Sequence, residues 1–207
     1  KKTLAFVGDS TFFASGLPGL VNAVYNGHDI PVCVLDNATT AMTGSQPHPG
    51  TGVTLMGPKR QPISIPRVLE AVGFDCIVHA NPLDLDASVA AVREALDHEG
   101  PSAVLFESPC IQLVKPDAPA VVDAETCTGC KKCITEIGCP GIGFDADARG
   151  PRSKQRGQAF VDPGLCNGCG LCVQVCPFDA LSMTEPQTDV SRETSSDASG
   201  SEGGCHA

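Results

Sequence analysis

Eight of the twelve cysteines fall in two spaced runs that are typical of iron–sulfur ligation. In the second run three cysteines are each separated by two residues, and a fourth, followed by proline, comes after three more. The first run begins in the same way, but five residues precede its last Cys-Pro. In chain order the eight are Cys127, Cys130, Cys133, Cys139, Cys166, Cys169, Cys172 and Cys176. Such runs predict two [4Fe–4S] clusters in a small α+β ferredoxin-like domain.

The fourth cysteine of each run is expected to serve the cluster of the other run. In bacterial two-cluster ferredoxins, three closely spaced thiolates hold three corners of one cluster and the fourth reaches the second cluster. The expected sets are Cys127, Cys130, Cys133 and Cys176 for one cluster, and Cys166, Cys169, Cys172 and Cys139 for the other. A pair of zinc sites is the alternative, because CxxC pairs alone are typical of zinc. Four thiolates per run, ending in Cys-Pro, favour iron–sulfur.

Composition and charge limit the compartment and the partners. No apolar run approaches the ~20 residues of a membrane-spanning helix, and no signal peptide is visible, so a membrane partner is not expected. Dense CxxC spacing is typical of metal ligation in a reducing compartment, which predicts a cytoplasmic protein. The net charge of −10 argues against a nucleic-acid partner, because phosphate contacts need clustered Lys and Arg. The acidity serves solubility alone, or it provides an acidic face that steers a basic redox partner.

Strands that alternate with helices predict an α/β domain with a parallel sheet in the first half of the chain. Short apolar strands are expected at 3–8, 30–35, 76–79 and 103–106, and helices at 16–26, 65–72 and 87–98. Residues 41–62 are rich in Gly, Pro, Thr and Ser, and loops of this length in compact domains are usually functional. We expect Cys33, Cys76 and Cys110, in or beside the strands, to be small buried hydrophobes.

Composition divides the chain into three parts. Residues 1–115 are the α/β part, and a strand as early as residue 3 suggests that the chain enters this domain after its start. A proline-containing linker at 115–119 leads into the cysteine-rich part, residues 116–186. Residues 187–207 are Ser, Gly and acidic residues that bury little apolar area, so a disordered tail is expected, with no role for Cys205.

Oxygen-bearing side chains follow the first two predicted strands. Gly8-Asp9-Ser10 ends the first strand, and Asp36-Asn37 ends the second. In open α/β sheets, ligands bind beyond the carboxyl ends of the strands. Two such side chains at adjacent strand ends are suited to hold Mg²⁺, which takes oxygen ligands and bridges phosphates. The alternative role for Asp9 is to cap the following helix.

The segments around these residues resemble a known family. They are Gly8-Asp-Ser-Thr-Phe-Phe, Leu35-Asp-Asn-Ala-Thr-Thr-Ala-Met-Thr-Gly44 and Gln46-Pro-His-Pro-Gly-Thr-Gly52. They are similar to the thiamine diphosphate domain of 2-oxoacid:ferredoxin oxidoreductases, above all to the alpha subunits of indolepyruvate ferredoxin oxidoreductases. Those subunits also end in two ferredoxin-type motifs, so the resemblance covers about residues 3–185 and includes the domain order.

The resemblance implies which residues contact the thiamine cofactor. It assigns Mg²⁺ to Asp9, Asn37 and the backbone carbonyl of Thr39. Near the diphosphate it places Gly8, Ser10 and Gly44, and near the thiazolium it places Thr40, Met42 and Thr43. Ala14 and Ser45 stand where such sequences often carry histidine, so a polar role at those two positions is not carried over.

The resemblance also implies an activity and its partners. The expected reaction is oxidative decarboxylation of an arylpyruvate such as indolepyruvate to an acyl-CoA, with coenzyme A as co-substrate. Electrons would pass through two [4Fe–4S] clusters to ferredoxin. A beta subunit and N-terminal domains of the same polypeptide would complete the enzyme and supply the activating glutamate, so this segment alone is expected to be inactive.

Alternatives remain open at this point. The substrate could be pyruvate or another 2-oxoacid, and a degenerate cofactor domain, which Ala14 would fit, would leave only an electron-transfer module. His48 lies between two prolines of the long loop, where a substrate-facing and a solvent-exposed position are both open to it. His28 and His79 are expected to be structural, and none of the three is expected to be catalytic.

Overall fold

The computed structural model describes residues 2–184, which contain separate hydrophobic cores in their first and second halves. Residues up to Glu107 form an α/β unit, and the residues from Ala120 onward form a smaller α+β unit. The segment expected to be a disordered tail, including Cys205, lies outside the described residues. No helix in the described part is both long and apolar enough to span a bilayer.

The first unit is built on a four-stranded parallel sheet, as the sequence predicts. Its strands are β1 (Ala5–Gly8), β2 (Pro31–Asp36), β3 (Cys76–Ala80) and β4 (Ser102–Glu107), in the order β1-β2-β4-β3. Residues 31–34 of β2 and 102–106 of β4 are buried, because helices cover both faces of a parallel sheet, whereas Leu35 near the end of β2 is exposed. Gly8 lies opposite Leu35, so the residues that follow β1 and β2 meet at one edge.

The first helical segment begins at Asp9, seven residues before the predicted start at Gly16. It runs as α1 (Asp9–Thr11), a π-helical turn (Phe12–Gly16) and α2 (Leu17–Tyr25). The π turn precedes Pro18, which has no N–H to continue the ordinary hydrogen-bond ladder. Phe12 within the turn is fully buried in the core. The helix predicted at 16–26 is confirmed as α2, whereas α1 and the π turn were not predicted, because residues 9–15 lack helical apolar periodicity and a glycine and a proline follow them.

The remaining helices of this unit lie close to their predicted positions. They are α3 (Ile65–Val72) and α4 (Leu85–Asp97), and each begins after a side-chain cap. Ser64 Oγ accepts from the Arg67 N–H at 3.4 Å, and Asp84 Oδ1 accepts from the Ala87 N–H at 3.0 Å. The long loop between β2 and α3 is held by short 3₁₀ turns at Ala41–Thr43 and Pro49–Thr51.

The second unit consists of two strand pairs and two short helices. Strand β5 (Ala120–Val122) pairs antiparallel with β8 (Leu181–Met183), and β6 (Ile142–Asp145) pairs with β7 (Gln158–Val161). The helices are α5 (Lys132–Ile137) and α6 (Leu171–Gln174). The first strand therefore pairs with the last, which brings the two cysteine runs together around one core.

Hydrogen bonds join the linker and the α/β unit to the cysteine-rich unit. In the expected linker, the Asp117 N–H donates to the Asn167 carbonyl at 3.1 Å. The Gln174 carboxamide donates to the Leu83 carbonyl at 2.8 Å and accepts from the Leu85 N–H at 2.9 Å. The two hydrogen bonds of Gln174 connect α6 to the segment that leads into α4.

Candidate cofactor sites

Asp9 is a buried carboxylate at the carboxyl edge of the sheet. Its side chain is 3% exposed. Oδ1 accepts from the Ser10 N–H at 2.7 Å, and Oδ2 accepts from the Asn37 N–H at 3.1 Å. The helix cap position is Gly8, and no side-chain cap bond is made there, so Asp9 does not act as the helix cap that was its alternative role. Asp9 instead ties the end of β1 to the end of β2.

His48 provides the third hydrogen bond to Asp9. His48 Nε2 lies 3.0 Å from Asp9 Oδ2, and the Gly50 N–H donates to His48 Nδ1 at 3.2 Å. Because Nδ1 accepts a hydrogen bond, it carries no proton, so the proton is on Nε2 and points at the carboxylate. The ring also stacks on Phe13, with centroids 5.9 Å apart. The His48 side chain is therefore buried and its Nε2 is directed at Asp9, so it does not take the solvent-exposed position that the sequence left open.

The electrostatics around Asp9 suit a divalent cation. The tautomer derived above leaves His48 neutral, and no Lys or Arg side chain pairs with Asp9 in the described part of the chain. The nearby Asp36 carboxyl adds a second acid, and burial, followed by the hydrogen bond and charge of Asp9, raises the pKa of Asp36. A buried carboxylate without a counter-charge is costly. Free lone pairs on hard oxygens at this edge fit Mg²⁺.

The other residues assigned to this site divide into an ordered and an exposed group. The Asn37 side-chain oxygen accepts from the N–H of the buried Thr39 at 3.1 Å, and Thr40 Oγ1 donates to Ser10 Oγ at 2.8 Å. Met42 is fully exposed, and Thr43 and Gly44 are exposed as well. Hydrogen bonds therefore link Asp9, Asn37 and Thr39, whereas Met42, one of the three residues predicted beside the thiazolium, is fully exposed.

Sequence reasoning did not assign a role to two residues at this edge, His48 and Asp36. Asp36 was interpreted only as the end of a strand, and for His48 a substrate-facing and a solvent-exposed position were both left open. The signal for His48 was the tight Pro-His-Pro-Gly sequence. A Cβ added at Gly50 would lie 3.0 Å from both the His48 and the Phe13 rings, so any larger residue there would press on the two packed rings.

Four cysteines from both runs surround a single cavity in the second unit. They are Cys127, Cys130, Cys133 and Cys176. Burial raises the pKa of the Cys133 thiol, and the charges of the other three raise it further. A group that neutralises several thiolates at once would relieve this repulsion, as an iron–sulfur cluster does. The structure thus brings together the four residues expected to hold one cluster.

The second set of four is assembled around Cys172. Burial raises the pKa of this thiol to about 11, with further contributions from the charges of Cys169, Cys166 and Cys139. The two cysteines that cross between the runs each accept a backbone N–H. Gly141 donates to Cys139 Sγ at 3.4 Å, and Ala180 donates to Cys176 Sγ at 3.3 Å. Such bonds favour the anionic thiolate.

The longer spacing before Cys139 is absorbed locally by a longer helix. Helix α5 has six residues where α6 has four. The two additional residues of α5 lead to Gly138, whose φ is +62°, and the chain then continues through Cys139 to β6. Cys139 consequently reaches the second set in spite of its irregular spacing.

Thiols that line a cavity favour an iron–sulfur cluster over a single zinc ion. All eleven cysteines of the described part are free, and no three Cys, His, Asp or Glu side chains there converge on a point suited to one metal ion. A four-thiolate zinc site needs each sulfur about 2.3 Å from the ion. Thiols around a cavity suit a larger group with separate iron corners. Thr128 Oγ1, buried beside this cavity, has no hydrogen-bond partner and is placed to donate to such a group.

Comparison with known proteins agrees with both sites. Residues 1–106 match the family described as thiamine pyrophosphate enzyme, C-terminal TPP binding domain. The chain belongs to the thiamine pyrophosphate enzymes. Residues 124–145 and 159–182 each match a 4Fe-4S binding domain family, so an iron–sulfur match covers all four cysteines of each run. The fold class expected from the sequence, a parallel-sheet cofactor domain followed by a ferredoxin-like domain, is confirmed.

Curated relatives of this thiamine pyrophosphate family member are named indolepyruvate oxidoreductase subunit IorA. The chain is 38% identical over 183 residues to that of Methanothermobacter marburgensis and 42% identical over 189 residues to that of Pyrococcus horikoshii. Each match covers 87% of this chain and 28% of the relative. The chain thus spans little more than a quarter of their length. The resemblance to indolepyruvate oxidoreductases is confirmed.

Among solved structures, a chain of the 2-oxoglutarate:ferredoxin oxidoreductase from Magnetococcus marinus also matches. The overlap covers 50% of this chain and 38% of that chain, with a TM-score of 0.46 and 19% identity.

Proposed function

We propose that the chain is the thiamine-binding and electron-transfer segment of a 2-oxoacid:ferredoxin oxidoreductase. The substrate is an arylpyruvate such as indolepyruvate, coenzyme A receives the acyl group, and electrons leave through two [4Fe–4S] clusters to ferredoxin. The beta subunit and further domains of the same polypeptide complete the enzyme. The substrate class follows the names of the relatives that are 38–42% identical.

One observation carries the proposal. A buried carboxylate at the edge of a parallel sheet and two assembled sets of four thiols occur in the same chain. The buried carboxylate suits Mg²⁺ and a diphosphate. The two sets of thiols suit iron–sulfur clusters, which accept one electron at a time. An enzyme that removes two electrons from a substrate and delivers them singly needs both.

The residues of the first site would hold Mg²⁺ and orient the diphosphate. Asp9, Asn37 and the Thr39 carbonyl supply three oxygen ligands, and the Asn37 N–H holds the Asp9 carboxylate in place. The hydrogen bond between Thr40 and Ser10 fixes the two loops that flank the diphosphate. Thiamine diphosphate supplies the electron sink for decarboxylation when it is bound.

The test uses the full-length subunit with its partner subunit. Asp9→Ala is expected to abolish indolepyruvate-dependent ferredoxin reduction and calorimetric binding of thiamine diphosphate with Mg²⁺, while the visible cluster spectrum stays unchanged. The matched control is Asp86→Ala, which removes an exposed carboxylate from α4. Full activity in Asp9→Ala would overturn the Mg²⁺ assignment.

Two other outcomes would change the function. Faster turnover of pyruvate or another 2-oxoacid than of indolepyruvate would replace the arylpyruvate assignment. A wild-type enzyme that carries intact clusters but binds no thiamine diphosphate would instead be an electron-transfer module with a degenerate cofactor domain.

A further inference from the structure

Positive charge is concentrated around the first cysteine run. The whole chain carries a net charge of −10, yet residues 127–157 contain six basic and three acidic side chains. The basic side chains, which we call the cationic surface, are Lys131, Lys132, Arg149, Arg152, Lys154 and Arg156. They are six of the fourteen Lys and Arg residues in the protein. All six are exposed.

Most of this charge is available to a partner. Among the described carboxylates, only Glu136 pairs with a member of the cationic surface, at 3.4 Å from Lys132. Arg149 donates to two nearby backbone carbonyls and forms no ion pair with a carboxylate of the described residues. Exposed cations without carboxylate partners create a positive potential that reaches about a Debye length into solution.

The cationic surface lies next to the cavity lined by Cys127, Cys130, Cys133 and Cys176. Lys131 lines that cavity and lies over the Phe144 ring at 4.0 Å. Arg152 lies 5.7 Å from the centroid of the Phe178 ring, which also lines the cavity. A Cβ added at Gly129 would lie 3.1 Å from Arg156 Cβ, so Arg156 packs on the Cys127–Cys130 loop.

The segment of the second cysteine run lacks such positive charge. Residues 158–184 contain Asp162 and Asp179 but no Lys or Arg. The basic side chains that contact residues of a cluster site therefore come from the segment of the first run, and they lie beside the cavity of the Cys127 set. This asymmetry distinguishes one cluster as the point where a negatively charged protein would approach.

We propose that the cationic surface is the docking site for a small one-electron carrier protein with an acidic surface, and that electrons leave through the cluster at Cys127, Cys130, Cys133 and Cys176. The inference rests on the proposed function and deepens it. It reverses the expectation of an acidic face that steers a basic partner. In each transfer the reduced cluster loses one electron and the oxidised carrier gains it, so two carriers are reduced for each substrate oxidised.

The experiment measures binding and turnover of the full enzyme with an acidic ferredoxin as the probe. The variant Arg152→Glu/Arg156→Glu reverses two charges beside the cavity, and Arg152→Gln/Arg156→Gln only removes them. The control Arg67→Glu/Arg93→Glu makes the same change in net charge on exposed arginines of α3 and α4. A zwitterionic viologen serves as an acceptor that is insensitive to surface charge.

The reversed variant is expected to raise the Kd and the KM for ferredoxin about tenfold at low salt, because complementary charges steer association. The neutral variant should lie between it and wild type. Viologen reduction should not change, and the difference in Kd should shrink as salt rises.

An equal rise in Kd for the control variant, or no measurable ferredoxin binding by wild type, would overturn the docking proposal. Failure of the proposed function has a different signature. Wild type would then reduce neither ferredoxin nor viologen with any 2-oxoacid. The Kd values of the variants for ferredoxin would still show whether the cationic surface is the docking site.

Discussion

His48 and Asp9 form a buried hydrogen bond, Nε2 to Oδ2 at 3.0 Å, across 39 residues of sequence. Both side chains are at most 5% exposed. The Gly50 N–H fixes the tautomer by donating to the opposite ring nitrogen. A histidine that had no assigned role thus holds the carboxylate proposed to bind Mg²⁺.

Replacing His48 tests the contribution of this bond. His48→Leu leaves a buried carboxylate short of one donor, so we expect the free energy of unfolding of the Mg²⁺-free full-length subunit to fall by about 2 kcal/mol. His48→Gln keeps an N–H donor and should lose clearly less. Urea titrations of the three proteins make the comparison, and equal losses in the two variants would show that only packing of the ring matters.

The crossed arrangement of the cysteines predicts which cluster each fourth cysteine serves. Cys139→Ser should lower the iron content by up to about half and alter only the cluster held by Cys166, Cys169 and Cys172, because one thiolate of that set is lost. Iron analysis and electron paramagnetic resonance of the reduced protein measure this. Cys110→Ser, which changes a cysteine outside both sets, should leave both signals intact. Loss of the signal from the Cys127 set in Cys139→Ser would contradict the crossing.

Gly129 is required for two separable reasons. Its φ is +68°, and an added Cβ would lie 2.3 Å from the Gly157 carbonyl oxygen. Gly27 has a similar φ of +63° but open space around it. We expect Gly27→Ala to cost about 1 kcal/mol from backbone strain alone. Gly129→Ala should lower the free energy of unfolding by more than this and should release iron during purification. Similar free energies of unfolding for the two variants would argue against the close approach of Gly129 to the Gly157 carbonyl.

Gln174 is predicted to hold the two units together. Gln174→Leu removes both of its hydrogen bonds, so the Leu85 N–H should exchange with solvent faster, by about fivefold for a loss of about 1 kcal/mol. Hydrogen exchange with mass spectrometry of the segment around Leu85 measures this. Gln155→Leu, at another exposed glutamine, is the control. Unchanged exchange in Gln174→Leu would mean that other contacts fix the interface.

Local sequence determined the parts of this protein that depend on short spacings. The regular second cysteine run and the apolar strands were identified because ligand spacing and strand burial are local patterns. Asp9 and Asn37 were placed at one edge of the sheet because parallel strands end on the same side. The start of the first helix was missed because the π turn before Pro18 has no periodic signal.

Contacts between distant residues were decided only by the tertiary structure. The pairing of His48 with Asp9 depends on how the loop at 41–62 folds back over the sheet, and Gln174 meets Leu85 across 89 residues. The sequence does not identify Asp9 as the partner of His48 or Leu85 as the partner of Gln174, because many positions of the loop and of α6 would satisfy the same local preferences. The cationic residues could be counted in the sequence, but only the folded chain places Arg152 and Arg156 beside the cysteine cavity. Packing, which acts across the whole chain at once, selects these partners.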